Sequence, residues 1–233
     1  MKKKDYIYSE QSSLWGDPEL LGFGSKEFYV KEIDRDLANN LIEINHYSKK
    51  YFNNSYIHLG LYINNNINGC LQYGHLMNNN SVSSIVSETK NGEAIELNRM
   101  WIADNVGKYP ESKAISYSLK YIRRKYPKIK WIQSFADERC GGFGIVYQAC
   151  SFSYYGEHLS EFYEYDGEYY HKTMFTNLGK SGSHSYKAKN MRANKEKAKK
   201  IKFRQFRYIK FLDQREKKKC LLKEQPYPKH YSE

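Results

Sequence analysis

The chain has 233 residues, 40% of them hydrophobic, with 38 Lys+Arg against 26 Asp+Glu, enough to bury one substantial core and at most a small appendage. Met1-Lys2-Lys3-Lys4 runs into Asp5-Tyr6-Ile7 without an apolar segment, and no run approaches the length that crosses a bilayer, so neither a signal peptide nor a membrane span is expected. Cys70, Cys140, Cys150 and Cys220 are scattered without C-x-x-C spacing, which argues against a disulfide framework or a cysteine zinc site and for a reducing cytoplasm.

In chain order the pattern is mixed α/β. Residues 34–52 read as a helix with Leu37, Leu41, Ile44 and Tyr51 near one face. Residues 56–63 alternate as a strand, Asn64-Asn65-Asn66 turns the chain, and 67–76 return as its hairpin partner. The Asn/Ser-rich stretch 78–91 reads as a loop holding at most a short strand at 82–86. A strand follows at 95–102, then a helix from Ser112 to Tyr126 ended by Pro127, and a strand at 131–136 that finishes on Asp137. The turn Gly141-Gly142-Phe143-Gly144 opens a short helix at 145–149, and extended structure resumes at Tyr154. Asp166-Gly167 between two aromatic runs is a hairpin signal. Residues 178–200 read as a basic linker before a last strand, so the organisation expected is a catalytic domain over 1–177 and a basic extension over 178–233 packed on the same sheet.

Charge is unevenly placed. Residues 180–233 hold 18 Lys+Arg against 5 Asp+Glu, whereas residues 1–179 are near neutral at 20 against 21. In Phe203-Arg204-Gln205-Phe206-Arg207-Tyr208-Ile209-Lys210-Phe211 cations interleave with aromatics, a pattern that suits a nucleic-acid backbone with Lys195, Lys197, Lys199, Lys200, Lys202, Arg204 and Arg207 as phosphate contacts. An ordinary last strand with a solvated basic approach reads the same way.

Candidate chemistry sits between Glu96 and Gly156. By strict alternation Arg99 shares a strand face with Leu97 and Trp101, where a buried guanidinium needs a partner, and Asp137 at the end of the next strand is the candidate. The pair is either a structural ion pair or the device that fixes a donor and orients or deprotonates an amine. Ser112 is a helix N-cap or an anion holder. Tyr147 is a core ring or a proton donor, and His46 a structural residue or a base. His58, His75 and Asp137 form a metal site only by assumption, since no ligand spacing supports one.

The order of elements, with Gly144-Ile145-Val146-Tyr147-Gln148-Ala149-Cys150-Ser151-Phe152, resembles the GCN5-related acyltransferase fold and its closing helix. More closely, Glu96-Leu97-Asn98-Arg99-Met100-Trp101, Glu111-Ser112, Trp131-Ile132-Gln133-Ser134-Phe135-Ala136-Asp137, Gly144-Ile145-Val146-Tyr147, the pair His46-Tyr47 and the tail Phe206-Arg207-Tyr208-Ile209-Lys210-Phe211-Leu212 resemble the phage Mom family of DNA adenine modification proteins within that superfamily. The resemblance covers roughly residues 40–230. It implies conversion of adenine N6 in double-stranded DNA to N6-carbamoylmethyladenine, in the cytoplasm of an infected bacterium, which shields phage DNA from restriction. For that chemistry the candidate catalytic residues are Arg99, Ser112, Asp137 as acceptor of the N6 proton and Tyr147 as donor to the leaving group, with His46-Tyr47 as a base or stacking surface and Tyr47, Tyr73 or Trp101 as alternative rings to hold the extruded adenine. Acetyl-CoA fits poorly as the donor, because the pyrophosphate loop of the superfamily is replaced by Val106-Gly107-Lys108-Tyr109-Pro110-Glu111-Ser112-Lys113-Ala114, where Pro110 removes a backbone donor. Two other functions remain open on sequence: an acetyl-CoA-dependent N-acetyltransferase of protein or small-molecule amines, and a non-catalytic DNA-binding protein on this scaffold.

Overall fold

The computed structural model describes residues 6–11, 18–78, 82–172 and 194–229. Within them the strands are β1 (Tyr6–Gln11), β2 (Pro18–Gly24), β3 (Phe28–Glu32), β4 (Ser55–Ile63), β5 (Asn66–Gly74), β6 (Ala94–Ile102), β7 (Trp131–Asp137), β8 (Ser153–Tyr165), β9 (Glu168–His171) and β10 (Lys199–Phe211). They form one sheet in the order β1-β2-β3-β4-β5-β6-β7-β10-β8-β9. The helices are α1 (Arg35–Asn45), α2 (Val82–Ile85), α3 (Pro110–Lys125), α4 (Ile145–Ala149) and α5 (Gln214–Lys217). The mixed α/β class expected from the sequence is the one observed.

Local chemistry sets both sharp hairpins. Asn64 and Asn65 take φ of 48° and 66°, and Asp166 and Gly167 take 53° and 71°, the left-handed pair that a two-residue turn demands of Asn, Asp and Gly. The first helix is shorter than its hydrophobic pattern suggests, because His46 leaves it with extended backbone and Lys49 adopts φ of 49°. Its buried residues are Ala38 and Ile42, while Leu37 and Ile44 are exposed, so the expected apolar face is displaced around the helix. The stretch at 82–86 is a single helical turn rather than a strand, with Val82, Ile85 and Val86 packed beside Trp131, Tyr155 and Phe211.

Helices α1 and α3 cover opposite faces of the sheet. Ala38 and Ile42 of α1 pack on Cys70, with Trp101 beside them, whereas Ile115, Leu119 and Ile122 of α3 join Leu71, Tyr73, Leu97 and Ile132 in the main core. The bonds that matter for function lie at β6 and β7, the parallel pair. Their register runs from Ala94↔Trp131 to Glu96↔Gln133 and stops there. Beyond it β7 keeps β10 as its neighbour, with Gln205 opposite Asp137, while β6 stays with β5. The two strands therefore part at Glu96 and Gln133, and a cleft opens between their far ends. Strand β10 comes from the basic extension yet lies inside the sheet between β7 and β8; the boundary at 177 expected from the sequence falls outside the described residues.

Candidate active site

A bulge orients Arg99. The register of β5 against β6 slips between Gln72 and Tyr73, so Leu97 lies opposite Tyr73 while Arg99 lies opposite Gln72, and Asn98 is the extra residue. Leu97 thus joins the α3 side and Arg99 the α1 side, and the strict alternation that put them together fails at this point. Arg99 does not pair with Asp137. Its Nε donates to the Lys50 carbonyl at 2.8 Å and its Nη1 to the Asn98 carbonyl at 2.7 Å. Burial lowers its affinity for a proton, with Tyr47, Glu96 and Asp137 acting in the opposite sense, and the two hydrogen bonds it makes go to main-chain carbonyls. The guanidinium ties the segment after α1 to the rim of the cleft.

Asp137 has a different partner, Arg139, which the sequence pattern does not single out. The Asp137 carboxylate caps a three-residue turn at Glu138–Cys140, accepting from the Arg139 backbone N–H at 3.0 Å and from the Arg139 guanidinium through Nε, at 3.0 Å to both oxygens, and through Nη2. Burial alone would raise the carboxyl's pKa; the hydrogen bonds and charge of Arg139 outweigh it and hold it below the ordinary value. A carboxyl clamped in this way stays ionised and is a weaker base than a free one. The Tyr47 hydroxyl donates to its Oδ2 at 3.4 Å. Arg139 lies 4.0 Å from the centre of the Phe162 ring and 5.8 Å from that of Tyr47, which brings the β8–β9 hairpin and the segment after α1 to one place. The only sequence signal for this clamp is the Asp-x-Arg spacing at the end of a strand.

His46 and Tyr47 sit side by side with ring centres 4.3 Å apart. Tyr47 is 57% exposed, the most exposed of the four expected substrate contacts. His46 is buried, its Nδ1 in contact with the Ser48 hydroxyl at 2.9 Å, and burial, with Arg99 and Lys49 nearby, lowers its pKa to about 3. It is neutral at physiological pH. Tyr73 is fully buried with its hydroxyl against Ser118, and Trp101 is partly buried against Cys70, Ala38 and Ile42 under α1.

The His46 shift has a consequence for stability. The folded value lies below 6.5, the ordinary value of a histidine in an unfolded chain, so the folded state resists protonation. This contribution is complete above pH 6.5 and declines as the pH falls toward 3, at about 1.4 kcal/mol per unit for one group. His46→Gln is expected to flatten the acid limb of a urea-denaturation profile by that slope, and an unchanged limb would assign it to other groups.

Tyr147 approaches the cleft from the α3 side. Gly144, at φ of 82°, caps α4, and the Tyr147 ring packs between Phe152 and Tyr208 with centres 5.6 and 5.4 Å away. Ser134 lies near its hydroxyl and offsets part of the burial effect on it, and the Ser134 Oγ donates to the Leu97 carbonyl at 3.4 Å just past the point where β6 and β7 part. Burial pushes its pKa up to about 12, so at neutral pH it holds its proton and has one to give. Ser112 is neither the N-cap nor a cleft residue by its side chain. Tyr109 is the N-cap, in left-handed conformation, and the Ser112 hydroxyl, in the third helical position, donates to the Tyr109 carbonyl at 3.3 Å.

Of the basic residues in the extension, several are neutralised within the fold. Lys200 pairs with Glu161, and Arg204 pairs with Glu138 at 2.7 Å and Glu157 at 3.9 Å. Arg207 is half-buried with its guanidinium 5.4 Å from the Phe135 ring. Lys197, Lys199 and Lys202 are exposed; the Lys195 side chain lies outside the described set.

Comparison with known proteins adds a family. The model of the Mom protein family matches residues 27–229. The chain is 45% identical over 231 residues to the methylcarbamoylase mom of Escherichia phage Mu, covering 98% of this chain and 95% of that one. Among solved structures, it is similar to the ribosomal-protein-S5-alanine acetyltransferase of Vibrio fischeri, at 11% identity and a TM-score of 0.49 over 83% of this chain and 98% of that one. It is likewise similar to an acetyltransferase of the GNAT family from Streptococcus pneumoniae, at 11% identity and a TM-score of 0.48 over 80% and 100%.

Proposed function

This chain belongs to the Mom protein family, and on that premise we propose that it transfers a carbamoylmethyl group to the N6 amine of adenine in double-stranded DNA, in the cytoplasm of a phage-infected bacterium. The observation that carries the reading is the extent of the family match: it runs from residue 27 to 229, so the cleft between β6 and β7 and every polar group on its rim fall inside it. Adenine N6 is a weak nucleophile held in a base pair, so the base must first be flipped from the duplex and then fixed against an electrophile. Tyr47 offers an exposed ring to cover the flipped base, and ionised Asp137, locked by Arg139, holds its hydroxyl in place. Arg99 braces the segment that carries Tyr47. As the N6–carbon bond forms and the bond from that carbon to the leaving group breaks, Tyr147, still protonated at neutral pH, gives its proton to the leaving group, and the surplus proton of the new secondary amine passes through water to restore the phenol.

The experiment is nucleoside mass spectrometry of plasmid DNA from a bacterium expressing the protein. A deoxyadenosine carrying a carbamoylmethyl group on N6 is expected, together with resistance to restriction enzymes whose sites contain adenine. Ordinary nucleosides alone, with acetyl-CoA copurifying and an amine acetylated in vitro, would replace this reading with that of a general N-acetyltransferase.

Exposed Lys197, Lys199 and Lys202 are the phosphate contacts in this reading, with Lys200 and Arg204 occupied by carboxylates. Changing the three lysines to alanine is expected to weaken duplex binding and to reduce the slope of log affinity against log salt by about 0.9 for each phosphate that is no longer neutralised. A slope equal to that of the parent protein would remove this edge of β10 from the DNA path.

A further inference from the structure

On the sheet face that carries Phe135 and Asp137 lies a polar cluster, Glu96, Gln133 and Arg207, for which the chemistry above has no use. Gln133 is 3% exposed, and its Nε2 donates to Glu96 Oε2 at 2.9 Å. The other Glu96 oxygen accepts from Asn98 Nδ2 at 3.4 Å. With Glu96 ionised both its oxygens accept, and the Gln133 amide turns its NH2 toward Glu96 and its Oε1 away, although burial raises the Glu96 pKa. That Oε1 has no hydrogen-bond partner among the described residues, and neither has Arg207 Nε; both atoms are shut off from solvent. Arg207 stands opposite Phe135 in the β7–β10 register, one diagonal step from Gln133, so the two atoms belong to neighbouring side chains on one face.

Buried polar atoms are rarely left unpaired, and here an unmet acceptor neighbours an unmet donor. An adenine edge supplies the complement: the N6–H donor beside a ring-nitrogen acceptor, N1 or N7. Guanine and thymine present a carbonyl where adenine has its amine, and would set acceptor against acceptor at Gln133. Cytosine carries an amine in the same relation to a ring nitrogen, so the discrimination lies between amine-bearing and carbonyl-bearing bases.

We propose that Gln133 and Arg207 read the flipped base, Gln133 Oε1 accepting from N6–H and Arg207 Nε donating to the adjacent ring nitrogen, and that Glu96 is a positioning residue that fixes which end of the amide faces the base. The half-buried Phe135 ring on the same face lies against the Arg207 guanidinium, 5.4 Å from the ring centre, and so helps to fix the direction of Nε. This inference rests on the reading of adenine as substrate and assigns the residues that recognise it.

The test uses the full chain and single-stranded oligonucleotides that differ only at one central base, adenine or hypoxanthine, which carries a carbonyl in place of the amine. Fluorescence anisotropy at fixed salt should show wild type preferring adenine by about tenfold or more. Gln133→Met should bring the ratio to about one while the salt slope, set by phosphate contacts, stays unchanged. Glu96→Gln, which lets the Gln133 amide turn over, should reduce the preference, and Arg207→Lys, which keeps the charge and removes Nε, should do the same. Thermal melting of each variant identifies any that fail to fold, and the remaining ones carry the test. A wild type without preference, or a folded Gln133→Met that keeps it, overturns the inference and leaves the two atoms to a buried water. Because the assay reads binding rather than transfer, its outcome is separate from that of the nucleoside analysis: adenine modified in cells by a Gln133→Met protein of undiminished base preference would sink this assignment and leave the function standing.

Discussion

Tyr147→Phe lowers the rate of transfer by about 10²- to 10⁴-fold, the range associated with removal of a positioned proton donor, while leaving substrate affinity near that of the parent. The ring stays where it is because Phe152 and Tyr208 hold it, and only the hydroxyl disappears. Its loss removes at most one side-chain hydrogen bond, worth about 1 kcal/mol of stability, so thermal melting shifts by only a few degrees. Single-turnover kinetics on duplex DNA, with denaturation run in parallel, separate the two effects. A rate within about twofold of wild type would make Tyr147 a core ring and move the acid elsewhere. With its pKa near 12, Tyr147 also predicts that no alkaline decline in rate below about pH 10 belongs to its ionisation.

Gly144→Ala should destabilise the protein by about 2–4 kcal/mol and lower activity with it, through two physical causes at one residue. At φ of 82° the backbone occupies the left-handed region that an L side chain enters at a cost. An added Cβ would also stand 2.5 Å from Tyr208 Cε2, 2.9 Å from Tyr208 Cζ and 3.1 Å from Ala136 Cβ. Tyr208 has no room to retreat. It is fully buried, its hydroxyl donates to the Phe143 carbonyl, and Gln148 Nε2 donates to it at 3.0 Å. Relief therefore has to come from the turn or from α4, and α4 carries Tyr147. Urea denaturation measures the stability, and activity at a temperature where the variant is fully folded measures the displacement of Tyr147. A midpoint and activity equal to wild type would show that the turn absorbs a methyl group without moving the helix. The Tyr147 and Gly144 variants differ in kind: the first removes a proton with the frame intact, the second moves the frame.

Several features of this protein are written in short stretches of sequence, because the forces that fix them act over a few residues. Asn64-Asn65 and Asp166-Gly167 turn the chain since these residues tolerate positive φ. Gly144 followed by Ile145-Val146-Tyr147-Gln148-Ala149 gives α4 with the bounds the sequence indicated, and β6 and β7 emerge within a residue of the expected limits. The family, too, was legible in the chain, in the stretches from Glu96 to Tyr147 that resemble it, and the family match spans residues 27–229. Tertiary structure decided what depends on neighbours far along the chain. One bulged residue, Asn98, turns Arg99 away from Leu97, and no alternation count detects an extra residue that only a pairing partner reveals. Arg99 finds the Lys50 carbonyl, 49 residues back along the chain, instead of Asp137, whose carboxylate is already taken by Arg139 in the turn it caps. Lys200 and Arg204, cations that the composition marks as free for phosphate, meet Glu161, Glu138 and Glu157 only once β10 has inserted between β7 and β8. Charge counts are local sums, whereas pairing is a property of the folded sheet.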